Sequence, residues 1–512
     1  MLFQSVRAPL LVMSVLSLFL PFFARATEPP VSKATKGCLI CHTQNTPGIV
    51  ADWRASRMSR TTPRSALAKP ELERRFSAKN VPDGLLDVVV GCAECHQMNA
   101  KDHPDTFIHL GQKVHIVVTP RDCGTCHPVE VEQYGHDLMA NARGNLHKNP
   151  LYHDMASNII GPLKEKNGKL ETKVPGDEAF STACDQCHGT KLEVLGLREK
   201  QTTLGVVAMP HIKGWPNHGV GRVNPDGTKG SCTSCHPRHG FSIAVARKPA
   251  TCGQCHKGPD VPAHKVYLAS KHGNLYKSIG EKNWNFDAVP WTIGKDFTAP
   301  TCATCHASQL VNTNGMLVTK RTHHMGSRLP WRLFGLPYAH PFPKSGDTTV
   351  IKNKAGLTLP TELTGEPVAK FLISGAEQEK RWDELEKVCL GCHGRTTIAG
   401  FREQFDATLK DTNEATLAAT RLLQRAWAES LARGPAQKDS IFNEHIERLW
   451  VEKWLFYSNS TRLATAMVGA DYGVFYGGRW QERRTIGHMV EWLELKRALM
   501  GKKPVHVPQK VR

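Results

Sequence analysis

Cys38-Leu39-Ile40-Cys41-His42 decides the reading of this chain, because its pattern of two cysteines and a histidine returns at seven further places. The repeats are Cys92/Cys95-His96, Cys123/Cys126-His127, Cys184/Cys187-His188, Cys232/Cys235-His236, Cys252/Cys255-His256, Cys302/Cys305-His306 and Cys389/Cys392-His393. Together these eight motifs use all 16 cysteines of the 512 residues. A random chain of this composition would hold roughly 0.02 such motifs. Two thiols three positions apart add to the two vinyl groups of one haem, and the adjoining histidine reaches the iron as proximal ligand. A disulfide framework does not require a histidine after every second cysteine, and zinc sites need paired motifs. The expectation is eight covalently bound haem c groups, with His42, His96, His127, His188, His236, His256, His306 and His393 as proximal ligands.

The composition is globular, with 40% apolar and 22% charged residues, which excludes collagen-like, coiled-coil and wholly disordered chains. The formal charge of +19 raises the question of nucleic acid, and the haems answer it. Eight haems bring about sixteen propionate charges, and buried carboxylates require cationic partners. The basic excess is the counter-charge to the cofactors, and no nucleic-acid partner is expected. At the start, Arg7 precedes an apolar run from Leu10 to Phe23, and Ala24-Arg25-Ala26 forms a small-x-small cleavage site. Residues 1–26 read as a secretory signal, too short to span a bilayer, and no later run approaches the length of a membrane span. Export to a bacterial periplasm follows, and with it a small periplasmic cytochrome as electron acceptor.

Seven of the motifs lie between Cys38 and His306, with Gly, Pro and Asn scattered through the connections. Such a segment cannot build a large core from protein alone. The fold expected is mainly α, with short helices and loops wrapped around the haems, a long-helix C-terminal region and little β. The chain divides into a haem-rich region at 27–328, a Pro-rich irregular connection at 329–375, read as surface or subunit-contact structure, and a helical region at 376–512 with the eighth motif. In that last region Asp411 and Glu414 resemble a capping box. Leu417, Leu422, Leu423, Ala426, Trp427 and Leu431 then keep helical spacing up to Gly434-Pro435. Further helical stretches are expected at Ser440 to Met467 and Arg483 to Met500. Eight haems serve a wire or an enzyme equally well, and the 17 histidines outside the motifs are enough to saturate every iron.

A resemblance discriminates. The run Gly214-Trp215-Pro216-Asn217-His218-Gly219-Val220-Gly221-Arg222-Val223-Asn224-Pro225-Asp226-Gly227, followed by Cys235-His236-Pro237-Arg238-His239-Gly240-Phe241-Ser242, is similar to the octahaem hydroxylamine oxidoreductase family. Thr46-Pro47-Gly48-Ile49, Lys113-Val114-His115-Ile116, Cys187-His188-Gly189-Thr190, Gly258-Pro259-Asp260 and Ser270-Lys271-His272-Gly273 extend it over nearly the whole mature chain. The resemblance implies that the motif Cys184, Cys187 and His188 holds the catalytic haem, with no protein ligand on its distal face. The other haems are then bis-histidine and carry electrons away. It implies a homotrimer in which a tyrosine from a neighbouring subunit cross-links to the catalytic porphyrin. Ala470-Asp471-Tyr472 matches that position, so Tyr472 is the candidate, with Tyr476 four residues on. Asp260 is the candidate distal carboxylate. Local similarity nominates His109, His115, His136, His239, His272 and His323 as distal ligands.

The chain departs from the family at four places. Val261 stands where the family has a distal proton-handling histidine, and His264 is three residues too far on. Met58 replaces a usual distal histidine; it is either a ligand or a core residue. No histidine occurs between His445 and His488, and Phe475-Tyr476-Gly477 replaces Trp-His-Gly. His324 follows Thr322-His323 where the family has Asp. Three functions stay open: oxidation of hydroxylamine or hydrazine; reduction of nitrite or hydroxylamine; and a non-catalytic electron-relay subunit in a hetero-oligomer with an active paralogue.

Overall fold

The computed structural model describes residues 29–167, 169–202, 205–468 and 472–503; the stretch 1–26, read above as a signal, and the pair Ala470-Asp471 lie outside them. Helices hold 48% of the residues and strands 10%, in small antiparallel pairs, so the chain is mainly α.

Up to residue 375 the helices are short. The longest are Lys33–Asn45 and Pro150–Ile160, and prolines open many of the others, including Pro47–Ala55, Pro120–Gly124 and Pro249–Gly253. A first-turn proline costs no hydrogen bond and presets the helical φ, which suits a chain that must start helices often. The hairpin of Glu193–Thr202 and Gly205–Lys213 was not foreseen. Its outer part runs through solvent and exposes Leu195, Leu197 and Val206, while Ile212 at its base packs with Val117 and Leu192.

The glycines of the 214–221 run have a physical role. The loop Asn217–Arg222 crosses the turn after His188 backbone to backbone. A Cβ on Gly189 (φ +94°) would lie 2.2 Å from the Arg222 nitrogen, and one on Gly219 would lie 2.2 Å from the Gly189 nitrogen. Asn217 pins the crossing: its Oδ1 accepts from the backbones of Thr190 (3.2 Å) and Gly219 (2.9 Å), and its amide donates to the Asp185 carbonyl (3.0 Å).

The C-terminal region is a helical bundle of Arg395–Ala428, His445–Val451 continuing through a widened turn at Glu452–Ser458 into Asn459–Met467, and Arg479–Leu499. Its core holds Leu423, Ala426, Ile446, Trp450, Trp454, Met489 and Leu493. Three expectations are corrected here. Asp411 does not cap a helix: the long helix starts at Arg395, directly after the eighth motif, and Asp411 lies mid-helix on its exposed face, pairing with Arg479 at 3.3 Å. The helix also stops at Ala428, before Gly434-Pro435, because Ser430 turns left-handed at φ +59°. The stretch 329–375 is irregular, yet it is packed inside rather than lying on the surface. Leu336 and Leu359 enter the bundle core, and Tyr338 donates from its hydroxyl to Leu363 (2.8 Å) and Thr420 (3.1 Å).

The buried face of the long helix carries threonines among its apolar residues. Thr412, Thr416 and Thr420 stand one turn apart. They accept from Arg462 Nε (3.2 Å), Lys453 Nζ (2.7 Å) and Trp450 Nε1 (2.9 Å), respectively. Burial drives Lys453 down to about 8, against the pull of Glu482 at 3.2 Å.

A second buried charge group sits by the second and third motifs. His103 is fully enclosed between Asp105 (3.4 Å) and Asp122 (3.2 Å). Burial opposes the charged imidazole, but the two carboxylates outweigh it and lift His103 to about 9. Asp105 also accepts from the backbones of Ile116 and Val117, and Asp122 from that of Thr119, so the trio ties three loops together. Replacing His103 with Gln leaves two buried carboxylates without a cation. That change is expected to cost about 3–5 kcal/mol, read as a lower urea midpoint of the haem-loaded protein. Because the folded value is raised from the ordinary 6.5 to about 9, the contribution is complete below pH 6.5 and is lost as pH rises through 9. The gap between native protein and variant should therefore narrow from pH 7 to pH 10.

Candidate functional site

Each motif is one helical turn. The histidine N–H donates to the carbonyl of the first cysteine, as in His127 to Cys123 (2.8 Å), His188 to Cys184 (3.0 Å), His256 to Cys252 (3.0 Å) and His393 to Cys389 (2.9 Å). Positions i, i+3 and i+4 share a helix face, so both sulfurs and the imidazole are presented to the same side. All sixteen thiols are free of disulfides. The outward ring nitrogen of several motif histidines is fixed by a donated bond: His96 Nδ1 to His115 O (2.8 Å), His188 Nδ1 to Ala142 O (3.2 Å) and His306 Nδ1 to Met325 O (3.1 Å). That sets the tautomer and leaves Nε2 to face the cofactor.

A metal–imidazole bond is about 2 Å, so two rings on opposite faces of one iron have centres about 6 Å apart. Three of the nominated histidines meet this spacing. His109 lies 6.2 Å from His42, His323 lies 6.4 Å from His236, and His272 lies 6.0 Å from His393. His109 Nδ1 and His323 Nδ1 are buried without a protein partner. His239 sits at φ +67° in a tightly wound loop, a strained state for a residue with a Cβ, and burial followed by nearby His96 lowers its imidazole. These residues fit haem.

His115 does not meet the expectation. Its ring centre is 5.9 Å from that of His96, but its own carbonyl receives His96 Nδ1, which places it behind the proximal ring. Both its nitrogens face carbonyls, of Val117 (3.2 Å) and Met98 (3.0 Å), and its ring stacks on His103 at 3.6 Å. The donor atoms of His103, Asp105 and His115 lie within 4.8 Å of one another, yet His103 is already taken up by its two carboxylates. His136 lines a cavity of about 490 Å³ with His324, Glu132, Gln133 and Lys344, away from Asp260. Asp137, pushed up by burial, is in electrostatic reach of both His324 and His306, which places this cavity at the seventh motif. Met58 is half-buried, and its carbonyl accepts from Val90 (3.2 Å), two residues before Cys92; no contact places its sulfur opposite a motif histidine.

His340 was missed. It is fully buried, and burial drives it down to about 3. Nδ1 donates to the Pro341 carbonyl (2.7 Å), leaving a buried Nε2 lone pair without a partner, the state of a metal-bound imidazole. Only its residue type pointed to it, since it falls in the Pro-rich stretch with no motif nearby.

The motifs follow one another in an order different from that of the chain. Thiols are hydrogen-bonded between Cys38 and Cys92, Cys123 and Cys232, and Cys252 and Cys302, while Cys95 is in electrostatic reach of Cys126, Cys235 of Cys252, and Cys305 of Cys389. The fourth motif joins this line sideways, through Cys187 to Cys255. Asp260 stands at that branch. Its exposed carboxylate is in electrostatic reach of Cys184, Cys187, His188 and His256. Gly258 makes room for it, since a Cβ there would lie 2.5 Å from Asp260 Oδ1, and the buried Asn459 amide donates to the Asp260 carbonyl (3.0 Å). His264 does not stand in for a histidine at 261: its N–H donates to the His256 carbonyl (2.8 Å) and its ring packs over Gly253. Tyr472 begins the turn Tyr472–Tyr476, and its side chain lies outside the described residues; Tyr476 is 69% exposed.

Comparison with known proteins places these observations. Residues 224–325 match the family model described as seven times multi-haem cytochrome CxxCH. A probable nitrite reductase-hydroxylamine oxidoreductase fusion protein of Kuenenia stuttgartiensis is 26% identical over 416 residues; the match takes in 79% of this chain and 39% of that protein's length. A solved structure described as a hypothetical multiheme protein is 42% identical, with a TM-score of 0.86 over 93% of this chain and 98% of the other. A reducing HAO-like protein complex of Kuenenia stuttgartiensis shares the fold at 20% identity, with a TM-score of 0.58 over 93% of this chain and 89% of that one. The turn that presents two sulfurs and an imidazole together, repeated along one chain, is thus a haem-attachment device, and this chain belongs to the multihaem c-type cytochromes, with the fold of the hydroxylamine-oxidoreductase-like proteins.

Proposed function

We propose that this cytochrome is a periplasmic octahaem oxidoreductase that oxidises hydroxylamine or hydrazine at the haem held by Cys184, Cys187 and His188. The observation that carries the reading is Asp260, an exposed carboxylate beside that motif, at the point where the motif branches from the line of the other seven. When bound, the haems supply the redox centre for the substrate nitrogen and the exit for its electrons to a small periplasmic cytochrome. The chain supplies proton handling and position. Asp260 accepts protons as the substrate loses them and hands them to solvent; Asn459 holds its backbone, and Gly258 leaves the space its carboxylate occupies. His109, His239, His272 and His323 serve as distal ligands, and His340 joins them.

Reduction of nitrite or hydroxylamine is the second reading, favoured by Val261 in place of a titrating side chain and by the likeness to a structural relative that is named a reducing complex. That relative is a complex of two HAO-like proteins, which supports assembly with a paralogue as an alternative to a homotrimer and, with it, a relay role. Val474 (40%), Phe475 (64%) and Trp480 (60%) are exposed next to Tyr472, an apolar surface suited to a subunit contact.

Asp260→Asn is expected to slow hydroxylamine oxidation about 100-fold with all haem bands intact, measured by steady-state kinetics with an artificial acceptor. An unchanged rate removes Asp260 from the site. The reduced holoprotein is expected to show a red-shifted extra band, with Tyr472 covalently attached to the haem peptide of Cys184 by mass spectrometry. Ordinary low-spin bands without a cross-link point to the reductive or relay reading, and reoxidation by nitrite then separates those two.

A further inference from the structure

Two guanidinium groups lie over the Trp215 ring, Arg238 at 4.3 Å and Arg222 at 5.4 Å from its centre. Arg222 is 2% exposed; its Nε donates to Asn224 (2.7 Å) and one terminal nitrogen to the Asn217 carbonyl (2.9 Å). A terminal nitrogen of Arg238 is buried and has no hydrogen-bond partner. Among the described residues, neither arginine forms an ion pair with a carboxylate. Buried Arg328, by contrast, is satisfied by the carbonyls of Thr304, Cys305 and Ser308.

Burial and the mutual repulsion of the two guanidiniums both oppose the Arg222 charge, and the groups that offset them are Cys232, Cys123 and Tyr134. Both cysteines belong to haem motifs. Once alkylated they are thioethers and cannot carry negative charge, so in the loaded protein the pair is still less compensated. A buried guanidinium with a second, half-buried one seated beside it calls for an anion. A planar guanidinium matches a carboxylate through two parallel hydrogen bonds, and a tryptophan face supports it by cation–π attraction.

We propose that Arg222 and Arg238, seated on Trp215, form the site that takes the propionate carboxylates of a haem at the junction of the second, third and fifth motifs. Each propionate then neutralises one of the two guanidiniums, and the pair accounts for both arginines. The site rests on the multihaem assignment and not on the catalytic reading of Asp260.

The test uses the haem-loaded protein. In Arg238→Gln the haem stoichiometry by pyridine haemochrome is expected to stay at the native value. One of the one-electron steps in a spectroelectrochemical titration should fall about tenfold in its equilibrium constant, about 59 mV, because a propionate left unneutralised disfavours the added electron. The carboxylate bands in the redox-difference infrared spectrum should change with it. Arg238→Lys keeps the charge without the planar fork, so it should change the carboxylate bands and leave the potential near the native value. Unchanged potentials in Arg238→Gln, or a shifted potential with native carboxylate bands, would overturn the proposal. If Arg238→Gln loses haem, the infrared bands of Arg238→Lys decide alone.

Discussion

One turn of helix, with two sulfurs and an imidazole on one side, is the constraint on which the rest of the chain depends. The turn is closed by a single backbone bond from the histidine to the first cysteine, and the chain makes it eight times. Around these turns the apolar core is split into separate clusters, the largest of them the aromatic group of Tyr267, Tyr276, Phe286, Trp291 and Phe297. The buried clusters of the motif-rich region next to the third and fourth motifs are small, such as Phe76, Ala78, Val81 and Cys126, or Leu146, Ala156 and Phe180. The C-terminal bundle, which carries only the last motif at its entrance, builds one continuous core around Trp450 and Trp454. The contrast follows from the covalent chemistry: where porphyrins fill the interior, helices need only be long enough to present a motif.

The same economy governs buried charge. A cation inside the chain is tolerated where its donors are used up, and the structure uses three means. Backbone carbonyls take Arg328 and Arg247, the latter through Phe286 and Ala288 at 2.8 Å each. Carboxylates take His103 and Lys453, and side-chain hydroxyls complete the shell of Lys453. Unpaired buried cations are costly, and these partners offset that cost.

How much of this was legible in the sequence depended on how local the signal was. The motifs, the mainly α class and the late helical region are set by residues within a few positions of one another, and they could be read directly. His115 misled because similarity marks the position and not the direction: its carbonyl, not its ring, serves His96. His340 and His103 were missed because each is defined by what other loops bring to it. Asp411-x-x-Glu414 looked like a helix start, although the start is set by the turn of the eighth motif sixteen residues earlier, and a charged pair mid-helix is equally at home on an exposed face. The threonine stripe at 412, 416 and 420 interrupts the apolar pattern that periodicity looks for, yet it is the buried face.

The loop from Gly258 to His264 shows how a small change in sequence shifts chemical work between residues. With valine at 261 and His264 turned toward the sixth motif, Asp260 is the acidic group left on that loop beside the fourth motif. A multi-electron conversion of a nitrogen compound moves several protons, and one carboxylate holds one proton at a time. Such a site works only if the carboxylate exchanges quickly with water, whereas an imidazole partner would let it be enclosed. The exposure of Asp260 is what such exchange requires, and Gly258 leaves the space its carboxylate occupies. Asn459 sets the other limit. It grips the Asp260 carbonyl from a fully buried position in the bundle and fixes the backbone there. The C-terminal helices, far from the fourth motif in sequence, therefore hold the loop that carries Asp260 beside it.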